Sequence, residues 1–145
     1  EAIIVLVPHG VPDRPLVAPA LKKPVFGWDG HRVILTFGLL APDKGIDQMI
    51  HALPAIVAEH PDALYVVLGA THPNLIRAQG ENLRAGLMAL GETLGVARNI
   101  RFIDAYVEQE ELLDYLQAAD IYVTPYVNPA QVVSGTLSYA IGMGL

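Results

Sequence analysis

Short apolar runs alternate with amphipathic stretches along nearly the whole chain. Arg32 to Phe37 (RVILTF) and Ala63 to Leu68 (ALYVVL) are β-branched, almost continuously apolar, and followed by Gly38 and Gly69. Ile100 to Ile103 (IRFI) is shorter, and Ile121 to Thr124 (IYVT) stops at Pro125. Runs of this length, bounded by turn residues, predict strands buried on both faces of a sheet. Between them the period changes. Ile46, Met49, Ile50, Leu53 and Val57 fall on one face of a helix, inside which Pro54 is expected to cause a kink or remove a hydrogen bond. Leu83, Leu87, Leu90 and Leu94 form a second stripe that Gly95 can cap. Leu112, Leu113, Leu116 and Ala119 form a third, and a last helix is expected from about Gly135 through Ile141.

Strand followed by helix, four times over, predicts a doubly wound α/β fold. It has a parallel sheet of about four core strands, right-handed crossovers and helices on both faces. Val11 to Gly30 breaks the pattern with Pro12, Pro15, Pro19 and Pro24 and reads as an extended linker.

Composition narrows the function classes. The 145 residues are 52% apolar and 17% charged, enough for one domain with its own core and incompatible with a disordered chain. The absence of Cys excludes disulfide scaffolds, thiolate metal sites and cysteine nucleophiles. Acidic residues outnumber basic ones 15 to 9, a net charge of −6 that argues against a general nucleic-acid partner or a basic membrane-binding surface. No run approaches the ~18 apolar residues of a membrane span, and Glu1 to Val7 lacks the basic start of a signal peptide. A cytoplasmic protein is expected. A start in mid-strand without Met, and a stop on Gly144-Leu145, fit a piece of something longer.

In a parallel sheet the strand-to-helix loops share one edge, and ligands bind there. The four loops are Gly38–Gly45, Gly69–Asn74, Asp104–Glu108 and Pro125–Ser134. In the first, GLLAPDKG, Asp43 is placed to cap the next helix and Lys44 falls in its first turn. A cation there opposes the helix dipole by roughly 0.3–1 kcal/mol, a penalty that a bound anion reverses; a solvated surface lysine is the alternative. The last loop ends on Ser134-Gly135-Thr136 at a helix start. That is either an ordinary N-cap or a phosphate cradle, in which Gly135 admits the anion and Ser134 or Thr136 donates a hydroxyl. His72 stands beside the same crevice, as a ligand contact or as a merely exposed side chain. No His or carboxylate cluster has metal spacing, so no metal is expected. A GxxxxGK[ST] loop, a post-strand GxG and a GxSxG elbow are all missing.

Six motifs in order carry a resemblance: Val7-Pro8-His9-Gly10-Val11, Phe37-Gly38-Leu39-Leu40 with Lys44-Gly45, Val67-Leu68-Gly69, Ile100 to Ile103, Tyr115 to Asp120 (YLQAAD), and Ile121 to Pro125. Together they resemble the C-terminal, donor-binding domain of retaining glycosyltransferases of family 4, which have the GT-B fold. The resemblance implies an interdomain strand and Pro-rich linker over 1–30 and a Rossmann-like domain over 31–145. It also implies transfer of a sugar from a nucleotide-diphosphate sugar, with retention of configuration and without a metal or other cofactor. Lys44 would contact the diphosphate, and the backbone of Gly135, Thr136 and Leu137 would cradle the phosphates beside Ser134. Asp104, Ala105, Tyr106 and Val107 would lie against the base, and Gly10 near the crevice. The family's Arg is Leu39 here, and its two glutamates are Gln131 and Tyr139. Gln131 would face the sugar as a catalytic-site residue beside Lys44, with His72 nearby, and Tyr139 would face the ribose. An N-terminal Rossmann domain and the last strands of the fold would lie outside this sequence, leaving it inactive alone and 121–124 as a bare edge that Ala2 to Val7 or a second copy is expected to cover. A non-catalytic α/β assembly module that has lost donor binding is the second reading. An unrelated flavodoxin-like phosphate binder is the third.

Overall fold

The computed structural model describes residues 5, 7, 10–128 and 134–145. Strands β1 (Arg32–Phe37), β2 (Ala63–Leu68), β3 (Ile100–Ile103) and β4 (Ile121–Tyr122) form one sheet in the order β3-β2-β1-β4. All pairings are parallel, with Arg32 opposite Ala63, Tyr65 opposite Ile100 and Ile34 opposite Ile121. Strand positions match the apolar runs, except that regular pairing in the fourth ends at Tyr122 rather than Thr124.

Alternation along the strands divides the core in two. Val33, Leu35, Leu64, Val66 and Leu68 point to one face, where Leu113, Leu116 and Ala118 of α5 (Gln109–Ala118) and Ala140 of α6 (Gly135–Gly142) cover them. Ile34, Tyr65 and Val67 point to the other face. There they meet Ile46, Met49, Ile50 and Leu53 of α2 (Ile46–Glu59) and Leu87 of α4 (Asn82–Thr93). Six buried residues in a row in β2 are therefore what a central strand between two helical layers requires. Helix α2 runs through Pro54 without a break.

Two segments depart from expectation. Between β2 and α4 the chain forms an additional helix, α3 (Pro73–Gln79), which buries no residue and so leaves no apolar stripe to read. The proline-rich segment is not an extended linker. It turns through a 3₁₀ helix at Pro19–Leu21 into α1 (Lys23–Phe26) and docks on α5. The reason is its aromatic content: Phe26 stacks on Tyr115 with ring centroids 4.3 Å apart and on Trp28 at 4.7 Å, and Trp28 is buried. Charge fixes the rest. Lys22 Nζ lies 2.7 Å from Asp114 Oδ1 and Arg14 Nη2 3.1 Å from it. Lys23 Nζ lies 2.6 Å from Asp120 Oδ2, which also accepts the Val33 amide at 2.7 Å. The lysine hydrogen bond, reinforced by both positive charges, holds the Asp114 carboxyl below the usual carboxylate range.

The outer edge of β4 has no strand partner among the described residues. The segment Ala2 to Val7, expected to cover it, falls largely outside those residues, and the described Val5 and Val7 are not in a strand. No helix among the described residues is long and apolar enough to cross a membrane.

Candidate functional site

The four strand-to-helix loops meet in one rim because glycines let backbones touch. At Gly69 (φ +149°) a Cβ would lie 2.0 Å from the Gly38 carbonyl oxygen, so the chain leaves β1 and β2 side by side only without side chains there. Leu40 N–H donates to Ala70 O at 2.9 Å and His72 N–H to Leu40 O at 3.0 Å, tying the first two loops together. Gly45 (φ +63°) does the same on the other side: a Cβ would sit 1.9 Å from Pro125 O. Val127 N–H donates to Asp43 O at 3.1 Å nearby, joining the first loop to the last.

Lys44 closes a 3₁₀ turn, Pro42–Lys44, and Gly45 is the cap position of α2. The expectation that Asp43 caps the helix and Lys44 lies in its first turn is thus corrected. The αL bend at Gly45 starts the helix two residues later, and Asp43 makes no capping bond. The Lys44 ammonium lies 4.2 Å from the centroid of the Tyr126 ring. Among the described residues it forms no ion pair.

At the start of α6 Ser134 is the N-cap: its Oγ accepts the Leu137 amide at 3.2 Å. That bond already engages one of the amides assigned to phosphate. The Thr136 hydroxyl lies 3.0 Å from Ser134 Oγ and 2.9 Å from Tyr126 Oη. On the first-loop side, a cleft of about 580 Å³ is bounded by Asp43, Lys44, His72, Asn74 and Thr136. On the other side, one of about 530 Å³ is bounded by Tyr106, Val107, Gly135, Thr136 and Tyr139. Thr136 therefore stands on the ridge between them. A smaller, apolar hollow of about 200 Å³ lies between Phe37, Leu112 and the Ala105–Val107 segment.

The structure thus gathers Lys44, His72 and Thr136 around one cleft and Tyr106, Val107, Gly135 and Tyr139 around the next. Tyr106 is 85% exposed, a ring available for stacking. Tyr139 Oη lies 3.5 Å from Gln109 Oε1. Asp104 lines none of the three hollows, because its carboxylate is turned to Arg84 at 2.8 Å. Ser134 and Leu137 contribute the cap rather than a wall. Gln131 lies outside the described residues. His72 is both cap and wall: its Nδ1 accepts the Asn74 amide at 3.2 Å, which leaves the proton of the neutral ring on Nε2.

Arg84 escaped sequence reasoning. It is 7% exposed, and its Nη2 donates to Gly69 O at 2.9 Å and to Asp104 at 2.8 Å while Nε pairs with Glu81 at 3.3 Å. Glu81 in turn accepts from the Thr71 hydroxyl at 2.6 Å. The only signal was an arginine on the Leu83–Leu87 face of a helix, indistinguishable from a solvated one. Beneath the rim, burial raises the phenols of Tyr65 and Tyr122 well above their ordinary range, so both remain neutral; Thr36, which accepts from Tyr65 at 3.0 Å, partly offsets the effect on that ring. Among the described residues no group of three or more His, Asp or Glu side chains could hold a metal ion.

Four likenesses place the chain in context. Residues 20–129 match the family profile "Glycosyl transferases group 1". A GDP-mannose-dependent monoacylated alpha-(1-6)-phosphatidylinositol monomannoside mannosyltransferase of Corynebacterium glutamicum is 27% identical over 79% of this chain and 26% of its own length. A mannosylfructose-phosphate synthase of Agrobacterium fabrum is 29% identical over 81% of this chain and 26% of its own. The chain therefore spans about a quarter of the length of these relatives. Among solved structures, Anabaena HepE in complex with UDP superposes with a TM-score of 0.70 at 17% identity, covering 87% of this chain and 31% of that one. That likeness is one of fold.

Proposed function

The chain belongs to the glycosyl transferases group 1 family, and on that premise we propose that it is the nucleotide-diphosphate-sugar-binding part of a retaining, metal-independent glycosyltransferase. The observation that carries the reading is the shared cleft. Lys44, free of carboxylate partners among the described residues, and Thr136 at the start of α6 face the same hollow. In such a site the diphosphate lies between the ammonium and the α6 N-terminus. Negative charge grows on the leaving diphosphate as the glycosidic bond breaks. A fixed cation and a helix dipole lower that barrier without a metal.

The other residues take their roles from their positions around the diphosphate. The apolar hollow beside Ala105, Tyr106 and Val107 receives the base, and Tyr139 meets the ribose across the second cleft. His72 presents Nε2–H to the sugar side of the first cleft. Gln131 supplies a neutral amide to the sugar, and Asp104 acts through Arg84 rather than by touching the base. Residues 31–145 form the donor-binding unit. The acceptor site belongs to a preceding domain of the whole protein, so the chain alone binds donor without turning it over. The mannosyltransferase relative uses GDP-mannose by name and the HepE structure holds UDP, so both bases are tested.

The experiment is calorimetric titration with UDP, GDP and ADP. One of them binds, and Lys44→Ala weakens it by about 1–3 kcal/mol, the scale of a hydrogen bond to a charged group. Absence of heat with all three sinks the reading. It would favour instead a non-catalytic assembly module, a role consistent with Leu39 and Tyr139 standing where the resemblance calls for an Arg and a Glu.

A further inference from the structure

We propose that Tyr126 is a positioning residue for the diphosphate cleft, holding both of its sides at once. The proposal rests on the donor-binding reading above and deepens it. Two contacts of one side chain carry it. The Tyr126 ring lies under the Lys44 ammonium at 4.2 Å, and its hydroxyl meets Thr136 Oγ1 at 2.9 Å. From Thr136 the chain of hydroxyls continues to Ser134 Oγ at 3.0 Å, which accepts the Leu137 amide. The cation of one loop and the first turn of α6 are thus joined through a single phenol.

The chemistry explains why an aromatic serves here. A carboxylate in that place would neutralise Lys44 and repel a diphosphate. A ring face attracts the ammonium through its quadrupole yet carries no charge to compete with the ligand. It also limits the freedom of a long, flexible side chain, whose ordering otherwise weighs against binding. The hydroxyl orients Thr136 on the ridge between the two clefts. Gly45 makes this possible, because only a glycine there lets Pro125, and Tyr126 after it, come close to the Lys44 loop.

Tyr126→Phe keeps the ring and loses the hydroxyl; Tyr126→Leu loses both. Titrated with whichever of UDP, GDP and ADP the wild-type chain binds best, affinity is expected to fall about 2- to 3-fold in Y126F and about 5- to 20-fold in Y126L. In a Lys44→Ala background the difference between Y126F and Y126L disappears, because the ring then has no ammonium to hold. A merely structural tyrosine would give the same ratio in both backgrounds. Y126L binding like wild type, or an unchanged F-to-L ratio without Lys44, overturns the proposal while leaving the donor-binding reading intact. A wild-type chain that binds none of the three nucleotides overturns both.

Discussion

The two halves of the rim formed by the strand-to-helix loops are built from different materials. On the β2 and β3 side a buried guanidinium, Arg84, gathers Gly69 O, Asp104 and Glu81. On the β1 and β4 side the links are a cation over a ring, a chain of three hydroxyls and one interloop amide bond, all at or near the surface. A charge removed from water is held by several partners at once, and taking one away leaves the others unsatisfied. Surface hydroxyl and cation–π contacts are individually worth a fraction of that and exchange readily with a ligand. The first half is a brace that sets the Asp104–Val107 segment beside its hollow. On the proposed reading, the second half yields its ammonium and its uncapped amides to an anion. Stability is concentrated on one side and responsiveness on the other.

The contrast is broken most directly at Arg84. Arg84→Leu is expected to cost about 2–3 kcal/mol, less than breaking a fully buried ion pair because Asp104 and Glu81 remain half exposed. Urea denaturation followed through buried Trp28 measures it; a loss under 1 kcal/mol, on the scale of a surface pair, would make the brace ornamental. Gly45→Ala is expected to cost about 1–2 kcal/mol from the left-handed backbone alone. Because its Cβ lands on Pro125 O, nucleotide affinity should fall as well. Unchanged affinity in the same titration would separate the two loops that the structure joins. Lys44→Ala should do the reverse of Arg84→Leu, weakening nucleotide while leaving the urea midpoint in place.

The smallest effect lies away from the rim. Asp114 has a lowered folded pKa, so its pairing with Lys22 and Arg14 stabilises fully above the ordinary Asp value of about 3.9. That contribution is lost as pH falls through the lowered folded value. Asp114→Asn should remove that acid-side slope and cost no more than about 1 kcal/mol at neutral pH, as partly exposed pairs do. Parallel pH–stability curves for the two proteins would count against the pairing.

The strands were legible because a parallel sheet buried on both faces demands continuous apolar runs, and β1 and β2 supply them. The long helices were legible from their stripes. Helix α3 was not, since it buries nothing and is set by Pro73 and the His72 cap. The docking of residues 10–30 was hidden because proline content suggests extension, whereas Phe26 and Trp28 find Tyr115 only in three dimensions. At the site, Lys44 and Thr136 could be placed on one edge from topology. The αL turn at Gly45, the ring of Tyr126 and the turn of Asp104 toward Arg84 could not, because each depends on two loops distant in sequence.

The central claim is that an anion is held between the Lys44 loop and the start of α6. Amide chemical-shift mapping during titration with UDP, GDP and ADP tests it residue by residue. The account predicts that the nucleotide that binds moves the amides of 38–45, 105–107 and 135–137 together, leaving those of α4 still. Shifts confined to the opposite end of the sheet, or none with any of the three, would contradict it.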